Sequence, residues 1–249
     1  MDLPRAAAVA ARLDIVAQSP STNAQLRASA DGAPHLTVLL TDHQTAGRGR
    51  LDRTWVTPPG SALAISVLLR DLPADPESRG WIPLVAGLAM ADAVAAQLPG
   101  REVGVKWPND VLVDGRKICG ILAEATADAV IVGSGVNTAM TAAQLPVETA
   151  TSFAALGATA DTDRLVADYV SALNGWIATL GTGKDAERVH AAVTARCLTI
   201  GRRVRVELPA EGELRGVATR LDEDGRLVVD ADGAEHPISA GDVVHVRAI

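Results

Sequence analysis

The sequence predicts an α+β protein in which a mixed β-sheet covered by helices is followed by a small antiparallel β-barrel. Three observations lead to this prediction. Apolar runs of strand length occur at residues 36–41, 62–69 and 129–136, and turn-forming residues bound each of them. Segments with helical periodicity lie between and after these runs, so helices can cover one face of the sheet. From residue 202 onward, short alternating runs separated by turns predict the barrel.

The first part of the chain predicts helices and strands in alternation. Ser21, Thr22 and Asn23 are residues that favour the start of a helix, because their side chains can cap its first turn. In chain order the predicted elements are a short helix at 2–12, a strand at 13–17, a helix from 21 to 30, a strand at 36–41, a long loop at 42–60, a strand at 62–69 and a helix at 81–98.

The next part predicts a run of strands and then two helices. Asp114-Gly115 is a strong hairpin signal, since both residues adopt the left-handed conformations that a tight turn requires. The predicted elements are strands at 103–106, 111–114, 117–124 and 129–136, followed by helices at 164–180 and 185–197. A strand such as 62–69 could pair across a dimer edge.

The C-terminal part predicts five short strands in a barrel that is SH3-like in size. The runs are RVRVEL, LRGVATRL, RLVVDA, EHPIS and VVHVRA. Turns at Asp224-Gly225, Asp232-Gly233 and Ala240-Gly241 separate them. We therefore expect two domains, with residues 1–199 forming the larger one and residues 200–249 the barrel.

Composition limits the classes of function. The chain has 249 residues, 48% of them hydrophobic, and a formal net charge of −7. This charge argues against general binding to nucleic acid or acidic membranes. No apolar run approaches the ~20 residues of a membrane span. Cys119 and Cys197 form no disulfide framework, which favours a reducing compartment. We expect a cytoplasmic protein.

Lysine is rare in this chain and is concentrated in one segment. There are three lysines against twenty arginines, and Lys106 and Lys117 both lie in KWPNDVLVDGRKICG, residues 106–120. Lysine provides a compact charge with three rotatable donors, which suits a carboxylate or a phosphate that changes shape in a reaction. A β-hairpin with two exposed lysines is the alternative interpretation of this segment alone.

The predicted loop at 42–60 contains a second cationic segment. Its glycines, Gly47 and Gly49, allow the backbone to approach a ligand closely. The cationic side chains and the amide that could contact an anionic or polar ligand are Arg48, Arg50, Arg53 and Gln44. The spacing matches neither a dinucleotide-binding turn nor a P-loop. A solvated basic loop is the alternative.

Three further groups of residues could bind a ligand. Ser21, Thr22 and Asn23 offer hydroxyls and an amide for a neutral polar group, although helix capping alone also explains them. Asn109 and Asp110 could hold Mg²⁺ near a polyphosphate, or could form an Asx turn. The strand that ends at Asn137 contains Gly133 and Gly135, against which a flat ligand could lie. Close packing of a helix is the alternative there.

Taken in order, these segments resemble the biotin–protein ligases. The motifs are STN, the TDHQTAGRGR loop, KWPNDV, GRKICGILAE and VGSGVN, which together cover residues 21–137. The barrel resembles the small C-terminal domain of the family by pattern only. The resemblance implies a class II synthetase-like catalytic core that converts biotin and ATP to biotinyl-5′-AMP and pyrophosphate. A lysine of a biotin carboxyl carrier domain then takes the biotinyl group.

The resemblance also implies roles for individual residues. Catalytic roles fall to Arg50, Lys117 and Lys106. Biotin binding falls to Ser21, Thr22, Asn23, Gln44, Gly47, Arg48, Gly49, Arg50, Lys117 and Gly120. Binding of ATP and the adenylate falls to Arg48, Arg50, Arg53, Trp55, Lys106, Asn109, Gly133, Gly135 and Asn137. Trp55 would stack on adenine, Asp110 would contact Mg²⁺, and the loop would order over the adenylate.

Some relatives carry an N-terminal DNA-binding domain and also act as repressors. Here about twenty residues precede the STN motif, which is too few for such a domain, so we expect no DNA partner and no membrane partner. The protein is expected to be a monomer or a weak homodimer. Two alternatives remain, namely a lipoate or octanoate ligase with the same core and chemistry, and a non-catalytic biotin-binding module.

Overall fold

The computed structural model describes residues 1–51, 53–73, 75, 77–181, 183–208, 212–239 and 241–245. Asp52, the predicted turn residue Ala240 and the end of the last predicted strand at 246–248 lie outside the described residues. The strands before residue 199 are β1 (Arg12–Ile15), β2 (Thr37–Thr41), β3 (Gly47–Arg48), β4 (Thr54–Trp55), β5 (Ala62–Leu69), β6 (Val103–Lys106), β7 (Asp110–Val113), β8 (Arg116–Ala125) and β9 (Val130–Asn137).

Among the described residues, seven of these strands form one mixed sheet in the order β1-β2-β5-β9-β8-β7-β6. The β1–β2 pair is parallel, and the other pairs are antiparallel. All eight residues of β5 are buried, as expected of a strand covered on both faces. Because β5 pairs with β2 on one side and β9 on the other, it offers no edge to a second protein. The possibility that this strand pairs across a dimer edge is therefore excluded.

The helices are close to their predicted positions. They are α1 (Pro4–Val9), α2 (Thr22–Ala28), α3 (Ile82–Ala95), α4 (Thr162–Thr179) and α5 (Lys184–Arg196). Helix α3 is buried along almost its whole length, with α4 and α5 packed against it. The oxygen of Ser21 caps α2 by accepting a hydrogen bond from the Ala24 amide at 3.4 Å. No helix among the described residues is long and apolar enough to span a membrane.

Four of the described helices cover one face of the sheet and α2 covers the other, whereas the sequence predicts helices on one face only. These four share the large core with residues such as Val38 and Leu40. Helix α2 lies on the opposite face, where Leu26 packs with Leu39 and Leu68. Successive strand residues point to opposite faces, so the continuous apolar run of β2 supplies both cores. Helix α2 therefore lies on the face of the sheet opposite to α3.

The hairpin between β7 and β8 has the predicted turn. Asp114 and Gly115 have φ angles of +49° and +75°, the left-handed conformations of a type I′ turn. The register then shifts between Val111 and Leu112, which pair with Cys119 and Lys117. This β-bulge adds one residue to β8. Side chains before and after the bulge therefore no longer follow one strict alternation between the two faces of the strand.

The C-terminal strands form the predicted antiparallel unit. They are β10 (Arg203–Leu208), β11 (Gly212–Leu221), β12 (Leu227–Ala231), β13 (Ala234–Ile238) and β14 (Asp242–His245). The described residues give a five-stranded sheet in the order β13-β12-β11-β10-β14. The predicted division between residues 199 and 200 falls in the connection between α5 and β10, and it stays a prediction.

Tryptophan side chains hold the barrel against the larger part of the chain. The indole N–H of Trp81 donates to the Glu223 carbonyl and that of Trp107 to the Gly225 carbonyl, each at 3.0 Å. The Trp107 amide also donates to Thr199 Oγ1 at 3.0 Å. Buried indoles require such partners, so these bonds fix the turn at 222–225 beside α3.

Candidate active site

A cavity of about 340 Å³ lies beside β8 and β9, beneath the loop that carries β3 and β4. This volume is in the range of small-molecule sites. The predicted residues that line the cavity are Ser21, Thr22, Asn23, Gln44, Arg48, Gly49, Arg50, Arg53, Trp55, Asn109, Asp110, Lys117, Gly120, Gly133, Gly135 and Asn137. The fold therefore brings together residues as far apart in the sequence as Ser21 and Asn137.

Two predicted residues are not part of the cavity wall. Gly47 lies behind it, where a Cβ atom would be 2.2 Å from Gln44 Nε2 and 2.3 Å from the Trp55 carbonyl oxygen. Only glycine fits there, because real Cβ atoms do not approach other heavy atoms so closely. Lys106 also lies behind the wall, where it contacts Asp110.

One wall of the cavity consists of neutral polar groups joined by hydrogen bonds. Gln44 Oε1 accepts from the backbone amide and from the hydroxyl of Thr22, at 2.8 and 3.1 Å. Ser66 Oγ lies 2.8 Å from Thr22 Oγ1 and 2.6 Å from Asn23 Oδ1. Ser66 is fully buried in β5, and no sequence pattern singled it out. A satisfied buried network of this kind holds its members in one arrangement.

The cationic side of the cavity begins with Arg48. Its Nη2 contacts both carboxylate oxygens of Glu124, at 3.0 and 3.3 Å. Glu124 Oε2 also accepts from Asn23 Nδ2 at 2.7 Å. Glu124 therefore connects the cationic side to the neutral wall. Glu124 ends the GRKICGILAE motif, but no role was predicted for it.

Lys117 reaches the cavity from β8 and is 46% exposed. Its Nζ lies 2.6 Å from Asp110 Oδ1, while Lys106 Nζ lies 3.7 Å from Asp110 Oδ2. A Cβ atom at Gly120 would be 3.0 Å from Lys117 Nζ, so the glycine leaves room for the lysine. Asp110 thus holds one ammonium group at the cavity and a second one behind it.

The prediction that Asp110 contacts Mg²⁺ has to be consistent with these two ion pairs. Within the described ranges, no group of three His, Cys, Asp or Glu side chains could hold a metal ion by itself. A Mg²⁺ ion accepts few protein ligands and takes the rest from phosphates and water. Asp110 could serve as its single carboxylate only where ATP supplies the phosphates, and this role stays a prediction.

Arg50 connects the loop to the other side of the cavity and to the barrel. Its Nη1 donates to Asn109 Oδ1 at 3.0 Å, and its Nη2 donates to the Gly241 carbonyl at 3.2 Å. The Asn109 amide is itself fixed, since it donates to the Ile121 carbonyl at 2.7 Å. Gly241 lines the cavity but belongs to the barrel, so sequence patterns in the larger domain could not reveal it.

The glycines of β9 form a flat floor against which two side chains lie. A Cβ atom at Gly133 would be 2.3 Å from Asn23 Oδ1, and one at Gly135 would be 2.8 Å from Trp55 Cζ2. Trp55 therefore covers Gly135 in this structure. At the end of the strand, Asn137 donates to the Thr151 carbonyl at 2.9 Å. These glycines therefore admit protein side chains, and their contact with a flat ligand stays a prediction.

Cys119 lines the cavity but is not a nucleophile. Burial raises the pKa of its thiol, although the charge of Lys117 acts in the opposite direction. A buried thiol that stays protonated is a weak nucleophile. This agrees with the absence of a nearby histidine in the sequence around it.

The arrangement suits one kind of ligand. A neutral polar wall can read a head group through hydrogen bonds, and the adjacent Arg48, Arg50 and Lys117 can hold anionic oxygens. Among the described residues, the cavity wall includes Asp110 as its acidic residue, and Lys117 pairs with it. The site therefore fits a molecule that is neutral at one end and anionic at the other.

Comparisons with known proteins agree with this description. Residues 14–137 match the Biotin/lipoate A/B protein ligase family, and residues 199–246 match the Biotin protein ligase C terminal domain. A biotin–[acetyl-CoA-carboxylase] ligase of Mycobacterium tuberculosis (strain ATCC 25618 / H37Rv) is 41% identical over 241 residues, which are 95% of this chain and 90% of that protein. A ligase of the same name from Paracoccus denitrificans is 30% identical over 92% of this chain and 98% of that protein.

Solved structures are similar over nearly the whole chain. The biotin protein ligase from Aquifex aeolicus in complex with biotin and ATP has a TM-score of 0.79 at 25% identity, covering 96% of this chain and all of that one. The Leishmania major enzyme in complex with biotinyl-5-AMP has a TM-score of 0.63 at 26% identity, covering 92% and 99%. The chain therefore belongs to the biotin–protein ligases of the biotin/lipoate A/B protein ligase family.

Proposed function

We propose that this protein activates biotin with ATP to form biotinyl-5′-AMP and transfers the biotinyl group to a lysine of a biotin carboxyl carrier domain. The observation that carries the proposal is the cavity itself, in which a neutral hydrogen-bonding wall adjoins Arg48, Arg50 and Lys117. Biotin has the matching shape, with a neutral ureido ring at one end and a carboxylate at the other.

The neutral wall would bind the ureido ring. Ser21, Thr22, Asn23 and Gln44 present hydroxyl and amide groups whose positions are set before the ligand arrives. Thr22 bonds to Gln44, Ser21 to the Ala24 amide, and Asn23 to Ser66. Gly47 allows Gln44 and Trp55 to approach each other. Such preorganisation lowers the entropy lost on binding.

The cations would promote the first chemical step. The biotin carboxylate attacks the α-phosphorus of ATP, a new carboxyl–phosphate bond forms, and the bond to the leaving pyrophosphate breaks. Two anions must meet, so the positive charges of Lys117, Arg48 and Arg50 stabilise the approach and the transition state. Lys106 acts from behind the wall, where its contact with Asp110 leaves Lys117 less completely neutralised. Mg²⁺ would supply further charge neutralisation at the phosphates of ATP.

The adenylate would extend toward the other residues of the cavity. Gly133 and Gly135 leave room for Asn23 and Trp55 to lie against the strand, Trp55 offers an aromatic face, and Asn109 and Asn137 line the cavity close by. Arg53 and Gly49 lie on the loop above. Arg50 bonds to Asn109 and Gly241, and these bonds would hold the loop over the intermediate.

The second step requires an acceptor amine at the open mouth of the cavity. The amine attacks the acyl carbon of the adenylate, an amide bond forms, and AMP leaves. We propose a carrier domain of a biotin-dependent carboxylase as the acceptor, supported by the names of the two relatives. We propose that the protein acts in the cytoplasm, and its two free buried cysteines support a reducing compartment.

Transfer is tested by incubating the protein with biotin, ATP, Mg²⁺ and an isolated biotin carboxyl carrier domain. The expected result is one biotinyl group on the acceptor lysine, measured by mass spectrometry. A carrier domain in which this lysine is replaced by arginine is the control and should stay unlabelled. Adenylate formation without transfer to any carrier domain would contradict the second half of the proposal.

A further inference from the structure

Glu124 lies at the end of β8, outside the cavity wall, and its side chain is only 17% exposed. A partly buried carboxylate needs partners, and this one has three. Asn23 Nδ2 lies at 2.7 Å, Arg48 Nη2 at 3.0 Å and Arg27 Nη2 at 3.4 Å. Two of these partners line the cavity, on different sides of it.

The contact with Asn23 fixes the orientation of its amide. Asn23 Nδ2 donates to Glu124 and, at 3.2 Å, to the Leu122 carbonyl, which uses both of its hydrogens. Asn23 Oδ1 accepts from Ser66 at 2.6 Å. The amide is therefore held so that its carbonyl oxygen retains a lone pair, whereas its nitrogen has no hydrogen left for a ligand.

The contact with Glu124 holds one nitrogen of the Arg48 guanidinium group in place. A single nitrogen, Nη2, meets both carboxylate oxygens. The remaining nitrogens can still donate to the oxygens of a carboxylate or phosphate. Because Arg27 adds a second positive charge, the cluster of Glu124, Arg48 and Arg27 has a net charge of +1 and stays attractive to an anion.

We propose that Glu124 is a positioning residue that couples recognition of the ureido ring to the position of the loop that carries Arg48. One carboxylate holds Asn23 in the neutral wall and Arg48 on the loop, so both ends of biotin meet groups that are fixed by the same side chain. This inference rests on the proposed function of the cavity. It predicts that Glu124 acts on affinity for biotin and on retention of the adenylate, rather than on the chemical step.

Glu124→Gln and Glu124→Ala separate the two contacts. The glutamine oxygen can still accept from Asn23, but the negative charge that holds Arg48 is lost. We expect Glu124→Gln to raise the KM for biotin about tenfold, equivalent to the loss of one charge-assisted contact. The kcat at saturating biotin should change less than threefold, and biotinyl-AMP should be released faster. Glu124→Ala should raise the KM further, since Asn23 then loses its anchor as well.

A double-mutant cycle tests whether Glu124 acts through Arg48. Arg48→Gln alone should raise the KM for biotin, and adding Glu124→Gln should then have little further effect. Glu235→Gln is the matched control, because it removes another glutamate–arginine pair, with Arg220 at 2.7 Å on the barrel. It should leave the KM and kcat unchanged. Thermal unfolding of each variant verifies that it is folded.

The outcomes separate the inference from the proposed function. If the wild-type protein releases no pyrophosphate with biotin and ATP, the proposed function fails before any variant is compared. If it does release pyrophosphate but the KM of Glu124→Gln equals that of the wild type, the inference is overturned and the function stands. Independent, additive effects of Arg48→Gln and Glu124→Gln would also overturn it, because the coupling would be absent.

Discussion

Individual glycines determine how close the walls of the cavity can lie. Gly47 is the tightest case, because a methyl group there would overlap both Gln44 Nε2 and the Trp55 carbonyl oxygen. The sequence predicted that this loop glycine allows close approach to a ligand. In the structure it instead allows close approach between two protein segments, which is why it lies behind the wall.

Gly47→Ala is therefore expected to lower kcat/KM for biotin by about 5-fold to 150-fold, since overpacking of a tight site costs about 1–3 kcal/mol. Gly175→Ala is the matched control. Gly175 lies within α4 with no atom within 4 Å of its would-be Cβ, so it should keep full activity and gain up to about 1 kcal/mol of stability. Initial rates and urea unfolding measure both effects. Equal activity of the two variants would refute the steric argument.

Lys117 is the lysine whose ammonium group reaches the cavity. Lys117→Ala should lower the rate of biotinyl-AMP formation by about 100-fold or more, because it removes a charge placed where negative charge accumulates. Lys184→Ala removes a lysine from the first turn of α5 and should have no effect. Quenched single-turnover assays with biotin and ATP give the rates. A Lys117 variant that retained its single-turnover rate would exclude this lysine from the chemistry.

At the scale of elements, β8 shows how local structure assembles the site. Lys117 and Gly120 are three residues apart, so strict alternation would place them on opposite faces of the strand. The β-bulge opposite Val111 and Leu112 adds a residue between them, and the Lys117 ammonium reaches the position that a Gly120 side chain would occupy. A bulge of this kind has no clear sequence signal, and so the motif predicted the residues without their arrangement.

The loop between β2 and β5 is the element that closes the cavity. The sequence predicted a continuous loop at 42–60, whereas the structure contains the short pair β3–β4. Glycine disfavours strand structure, so we expect pairing here to depend on the contacts of Arg48 in β3 and of Arg50 in the turn that follows it. These contacts are ionic or single hydrogen bonds.

Arg50→Gly should therefore loosen the loop and speed the release of biotinyl-AMP, so that lysines of bystander proteins become labelled. Asn109→Ala removes one of the same hydrogen bonds and should act in the same direction more weakly. Labelling of added serum albumin, detected with streptavidin, is the measurement, and reactions without ATP give the background. Bystander proteins that stay unlabelled with Arg50→Gly would show that the loop does not retain the intermediate.

At the scale of the whole molecule, the barrel contributes to the wall of the cavity. Gly241 lines the cavity and accepts a hydrogen bond from Arg50. His245, at the end of the strand β14 that follows Gly241, lies 3.1 Å from Thr199 Oγ1. The alternating runs predicted these barrel strands well, because alternation depends on local burial alone. They could not predict where the barrel docks, nor could they reveal Ser66 and Glu124, whose partners are distant in sequence.

The burial of His245 should make the free energy of unfolding depend on pH. Burial lowers the pKa of His245 from 6.5 to about 4, and the charges of Lys106 and Arg202 act in the same direction. Between these values the unfolded chain binds more protons than the folded one, so the free energy of unfolding falls as pH falls through this window. His245→Gln cannot titrate, yet it can accept from Thr199, and should show a flatter pH dependence in urea unfolding. Parallel curves for the two proteins would contradict this assignment.

We propose that one cavity both recognises biotin and activates its carboxylate. This is tested by measuring formation of acyl-adenylate and pyrophosphate from ATP and Mg²⁺ with biotin, and with lipoate in its place, in the absence of any carrier protein. We expect biotinyl-AMP and stoichiometric pyrophosphate with biotin, and far slower turnover with lipoate, which lacks a ureido ring for the neutral wall to bind. Preferential turnover of lipoate, or binding of biotin without any release of pyrophosphate, would contradict this proposal.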